Sequence, residues 1–166
     1  MKAHFEMLAH YNQWVNTKLY ALAATLPDEA YRRDVGVFFR SLHGTLNHLL
    51  TADRIWLRRL THEGDHPQAL NAIVFDDLPA LTAARQAEDL RLIRYVEQLS
   101  ATQIEQPWDY QTLNGAPHRQ PLREILAHLF NHQTHHRGQA HAALTRLGIN
   151  EPEPWDLLVM QRQKKG

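Results

Sequence analysis

Cysteine is absent from the 166 residues. That removes disulfides, thiolate zinc sites, Cys-ligated iron–sulfur clusters and a cysteine nucleophile. Serine occurs only as Ser41 and Ser100, neither in the setting of a nucleophile elbow. The seven glycines are scattered, with no P-loop and no dinucleotide-binding fingerprint. An excess of one charge is missing too: 18 basic residues balance 18 acidic ones. No broad positive field exists to hold a nucleic-acid backbone, so no nucleic-acid partner is expected. No apolar run approaches the roughly 18–20 residues of a membrane helix, and no membrane partner is expected. The opening MKAHFEMLAHYNQW has no signal-peptide core, which points to a cytoplasmic protein. The length suits a single domain spanning residues 1–166, long enough to bury its own core.

Histidine is what the chain has in excess. There are twelve, five of them between His128 and His141.

Hydrophobic periodicity predicts an all-α fold, a four-helix bundle. The first helix runs from about His4 to Leu26, with Phe5, Leu8, Tyr11, Val15, Leu19 and Leu22 on one face and Pro27-Asp28 as its stop. The second runs from Ser41, a good N-cap, to about His62. The third begins near Leu78-Pro79, behind a capping Asp76-Asp77, and continues to about Leu99. The fourth begins near Pro121 and ends before Gly148. Tyr110, Thr112 and Leu113 ahead of Asn114-Gly115 suggest a short β-hairpin. Trp155, Leu157, Leu158 and Met160 suggest a short C-terminal helix, with Lys164 and Lys165 fraying beyond it. Short connections would give up-down-up-down order; the roughly 15-residue middle segments also allow crossovers.

On the fourth helix, His132 and His136 lie one turn apart on one face, so both imidazoles can converge on one metal ion. His135 sits about 100° around the axis from His136 and cannot share that site. Imidazoles facing a bundle core need partners, and a metal supplies them. The second helix offers His43 and His48. They are five residues apart and cannot both face one ion. The neighbours of His48 favour it as core-facing, while His43 stands near the helix start. Asn12, Asn47, Asp53 and Gln139 are candidates to orient the ligating rings. No rival chemistry competes: Gln133 follows His132, so HExxH is absent, and no helix carries the ExxH of a di-iron bundle.

The segments MLAHYNQWVNTKLY, SLHGTLNHLLTADRIWL and above all NHQTHHRGQAHAAL resemble the DinB-like family, the damage-inducible or YfiT-like metalloenzymes. The resemblance extends over nearly the whole chain. It implies a four-helix bundle holding one divalent transition metal (zinc, nickel or iron) on three histidines. Matched residue by residue, these are His48, His132 and His136, in agreement with the geometric preference. Characterised members of the wider superfamily are thiol-dependent S-transferases and isomerases that use low-molecular-weight thiols.

Three functions follow as expectations. The first is a metal-dependent enzyme of the thiol-dependent S-transferase type, or a metal-dependent hydrolase. Its nucleophile would be external, and Arg137 or Arg54 could hold a substrate carboxylate. The second is a non-catalytic, metal-stabilised stress-response protein, and the third a bundle without metal. A homodimer is also expected, because Tyr11, Trp14, Tyr20, Phe38 and Phe39 exceed what one small core needs.

Overall fold

A computed structural model describes residues 1–150 and 154–163. Four long helices form the bundle: α1 (Lys2–Ala23), α3 (Leu42–Thr61), α4 (Leu78–Gln98) and α6 (Leu122–Arg146). Short helices α2 (Asp28–Arg32) and α5 (Ala101–Glu105) lie between them, and α7 (Leu157–Gln163) packs back on α1. The expected C-terminal helix is therefore present; Lys164 and Lys165 lie outside the described residues.

Local chemistry sets the starts of these helices. Ser41 Oγ accepts the Gly44 amide at 3.0 Å and begins α3, as its position suggests. Asp77 accepts the Ala80 amide at 2.8 Å and begins α4, with Pro79 in the first turn. A Ser100–Gln103 capping box starts α5, a helix that the hydrophobic pattern alone does not reveal. The hairpin pairs β1 (Pro107–Gln111) with β2 (Pro117–Pro121) in antiparallel register, Tyr110 opposite His118. Thr112 and Leu113 fall in the connecting loop rather than in the strand, and Gly115 takes the left-handed φ of +83° that the loop needs.

The helix order departs from simple up-down-up-down. α1 runs antiparallel to α4, joined by Lys2 to the Glu97 carbonyl at one end and by Asn16 to Asp89 nearer the middle. α3 is antiparallel to α6, where His48 meets His132 and Trp56 meets His128. α3 and α4 run parallel: Leu49 is beside Arg85, and Thr61 beside Arg91. The topology is up-down-down-up, with α1 and α3 each packed on α4 and α6. Parallel neighbours require a return crossover, and residues 62–77 run back along α3 to supply it.

Two apolar clusters fill the bundle. One, around Phe5, Leu57, Leu92, Leu126 and Phe130, lies toward the hairpin; the other, around Leu19, Leu46, Leu50, Leu81 and Leu144, lies toward α2. A belt of buried polar groups separates them: Asn12, Asn16, Asp53, Arg85, Asp89, Gln133 and Arg137. Most of the aromatics that suggested a dimer are occupied within the chain. Tyr20 is buried, Tyr11 donates to the Trp155 carbonyl at 2.7 Å, and Phe39 lies on a histidine ring; Phe38 is 77% exposed. No described helix is long and apolar enough to cross a membrane.

Candidate metal centre

His48 is buried on the face of α3 that meets α6, and His132 and His136 face it from successive turns of α6. Their ring centroids are 4.3–5.1 Å apart, and one nitrogen from each falls within 4.8 Å of the other two. His48 Nε2 and His132 Nε2 are 3.2 Å apart. A tetrahedral zinc site with Zn–N bonds of about 2.0–2.1 Å has an N···N edge of roughly 3.3–3.4 Å. The spacing therefore fits a metal already. This is the single group of three or more metal-ligating side chains among the described residues, and it could hold a metal ion.

Two of the outer ring nitrogens are fixed. His48 Nδ1 lies 2.7 Å from the Leu70 carbonyl in the return crossover. A carbonyl can only accept, so Nδ1 carries the proton and Nε2 presents its lone pair to the centre. His136 Nδ1 lies 2.9 Å from Gln139 Oε1, which orients the third ring in the same way. Gln139 therefore fulfils its expected role. The other three candidates serve elsewhere. Asn12 contacts Asp89 and Arg137, and Asp53 contacts Gln133 and Arg85. Asn47 accepts the Val74 and Phe75 amides at 2.9 and 3.0 Å, holding the crossover against α3. The Leu70 carbonyl has no side-chain signal, so no sequence pattern could have marked it.

Burial keeps the rings neutral. It lowers the His48 pKa to about 4, with proximity to His136 adding to the effect. His132 falls to about 3, from burial first and then from the imidazoles of His136 and His48. His136 is also lowered by burial. Neutral imidazole is the form that binds metal.

The surroundings are asymmetric. At one end the Phe39 ring lies flat on His48, centroids 3.8 Å apart at 19°, and 5.5 Å from His136. A tightly turned strap, residues 33–41, places it there. Arg40 adopts a left-handed φ of 68°, and Asp34 binds both the Gly36 amide and the Arg40 side chain. Gly44 lies directly beneath: a Cβ there would collide with the Phe39 carbonyl. At the other end His132 is half-exposed and faces His128, which in turn faces Trp56.

The remaining histidines stand apart. His43 packs edge-on against Tyr31 and reaches toward the Phe75 carbonyl, and His135 contacts Gln139. Neither candidate arginine is free for substrate. Arg137 is buried, donates to Asn12 and Thr134 and lies over Tyr11, while Arg54 pairs with Asp65 at 2.8 Å.

A helical bundle with three convergent histidines on facing helices defines a class of bundle proteins whose core could hold a metal ion. The chain matches the DinB family model over residues 1–164, and it belongs to that family. It is 26% identical over 150 residues to "Protein DinB" of Bacillus subtilis (strain 168), an alignment covering 85% of this chain and 84% of that protein. Its fold is similar to that of the crystal structure of a DinB-like protein from Bacillus cereus ATCC 10987. The TM-score is 0.62 at 18% identity, covering 80% of this chain and 85% of that one.

Proposed function

We propose that the chain is a metal-dependent enzyme that activates a low-molecular-weight thiol for transfer to a small electrophile. One divalent ion (zinc, nickel or iron) would be held by Nε2 of His48, His132 and His136. The observation that carries this reading is the donor set: three neutral imidazoles, two with their outer nitrogens pinned, and no carboxylate among them. When bound, such an ion supplies undiminished Lewis acidity, which lowers the pKa of a water or thiol at its open position.

The chain's own residues bind and orient. His48 and His136 hold their lone pairs inward through Leu70 and Gln139. Phe39 covers one face of His48, which would direct a ligand to the side where His132, His128 and Trp56 stand. With no cysteine, and with Ser41 and Ser100 at helix caps, the nucleophile comes from outside. In the transfer the thiol loses its proton to solvent, its sulfur forms the new bond to carbon, and the leaving group departs with its bonding pair.

The test is a cobalt-loaded sample titrated with a panel of small thiols. A change in its ligand-field spectrum, lost in His136→Ala, supports the reading. An unchanged spectrum with a water ligand that titrates near neutrality favours a hydrolase. No response to any small molecule favours a metal-stabilised stress-response protein.

A further inference from the structure

Arg59 is an arginine without a counter-ion. Several other guanidinium groups meet carboxylates: Arg32 with Asp28, Arg40 with Asp34, Arg85 with Asp53, Arg119 with Asp109, Arg123 with Glu105. Arg59 has no carboxylate partner among the described residues. Its guanidinium lies over two aromatic rings instead, 4.6 Å from the Trp56 centroid and 5.6 Å from that of Tyr110. Its Nε is buried with no hydrogen-bond partner. A half-buried cation without a counter-ion loses part of its hydration, and a buried donor without an acceptor calls for an explanation.

The setting supplies one. Arg59 lines a groove of about 550 Å³ between the end of α3 and the hairpin. Arg58, His62, His66 and His118 line it as well, all of them able to donate N–H groups. Its single carboxylate, Asp109, is engaged by Arg119 at 3.1 Å. The groove is rigidly built: Trp108 Nε1 donates to the Arg59 carbonyl at 3.2 Å, and His118 stacks on Tyr110 at 5.5 Å. A row of packed rings leads from it toward the histidine centre. Tyr110 touches Trp56, Trp56 touches His128, and His128 touches His132, in three successive ring contacts of 5.2–5.8 Å.

We infer that this groove is an anion-binding subsite, in which Arg59 takes a carboxylate or phosphate group of the small molecule whose reacting end reaches the three histidines. The planar guanidinium, oriented by two rings, offers the forked donor pattern that such groups accept. The second half of the inference rests on the function proposed above; the subsite itself does not.

Two measurements test it. In the first, the metal-loaded protein is titrated with citrate and with pyrophosphate, following the Trp108 indole and His118 ring signals by NMR. Saturable shifts are expected, with affinity about tenfold or more weaker in Arg59→Met, intermediate in Arg59→Lys and unchanged in Arg32→Gln, which lies outside the groove. No saturable shift in the parent protein, or equal affinity in Arg59→Met with the Trp108 signal still in place, overturns the subsite. A preference for one probe tells carboxylate from phosphate. In the second, the cobalt-loaded protein is titrated with reduced glutathione and with its diester. The free acid is expected to bind about tenfold more tightly, and Arg59→Met should abolish that preference. Equal binding of acid and ester overturns the link between groove and metal while leaving thiol activation standing. If neither thiol alters the spectrum, thiol activation fails, and the anion titration alone decides the subsite.

Discussion

Gln133 Nε2 donates to Asp53 Oδ1 at 2.6 Å, joining the two helices that carry the three histidines. The same nitrogen donates to the Leu49 carbonyl at 3.0 Å, so α6 is clamped to α3 one residue after both His132 and His48. Asp53 Oδ2 meets Arg85 Nη1 at 2.7 Å; Arg85 Nη2 reaches Asp89, which accepts Asn12 and Asn16 at 3.0 Å each. All four long helices are thereby tied at mid-height. Removing Asp53 leaves a buried guanidinium half-paired, so Asp53→Ala should cost about 3–5 kcal/mol. Gln133→Ala removes a neutral donor and should cost about 1–3 kcal/mol. Urea denaturation gives the order directly, and a costlier Gln133 variant would show that the clamp is not centred on Asp53.

Metal content should separate the histidines cleanly. His48→Ala, His132→Ala and His136→Ala should each lose stoichiometric metal, whereas His43→Ala and His135→Ala should keep it. Elemental analysis of untagged protein measures this. Metal at 100 times its Kd should also stabilise the parent fold by about 2.7 kcal/mol, a gain absent from the first three variants.

Because burial already holds His48 at about 4 and His132 at about 3, both are deprotonated at pH 6. A histidine at its ordinary value of 6.5 would be mostly charged there and would release its proton to a metal. Binding at pH 6 should therefore release almost no proton from His48 or His132, and less than one in total once His136, also lowered, is included. Affinity should fall at a lower pH than it would for three histidines at the ordinary value, with His48 and His132 contributing to the loss only below about pH 5. Calorimetry in buffers of different ionisation enthalpy counts the protons; release of two or more would place the rings in water.

Gly44→Ala sets two effects against each other. Alanine favours a helix interior by about 1 kcal/mol over glycine. Here its Cβ meets the Phe39 carbonyl, which must lift and carry the ring off His48. The variant should be less stable and should bind metal more weakly, as judged by competition with a chelator. Tighter binding would mean that the Phe39 ring obstructs the site.

The four long helices were legible because each carries an apolar stripe at helical spacing. The HxxxH pair and a core-facing His48 were legible because one helical turn turns spacing into proximity. The polar belt was not legible: Arg85 and Asp89 occupy stripe positions between Leu81 and Leu92, where composition alone reads as surface. Helix order was hidden as well, since periodicity reports which face is buried and not which neighbour buries it. Arg54 and Arg137 looked available because Glu88 and Asn12 meet them only once the chain is folded. Arg59, unremarkable in the chain, became informative only once its two aromatic neighbours were in place.

Surface connections ordinarily tolerate insertion and deletion. The segment 62–77 does not share that freedom, because its Leu70 carbonyl decides which nitrogen of His48 bears hydrogen. A slip of the loop that put a backbone N–H in its place would make Nδ1 the acceptor and move the proton to Nε2, the atom facing His132. Every helix, ring and ligand would remain, yet one coordinating lone pair would be gone. Loop length is thus recorded at the centre as a choice of tautomer, and a single-residue indel there should silence metal binding in a protein that still folds.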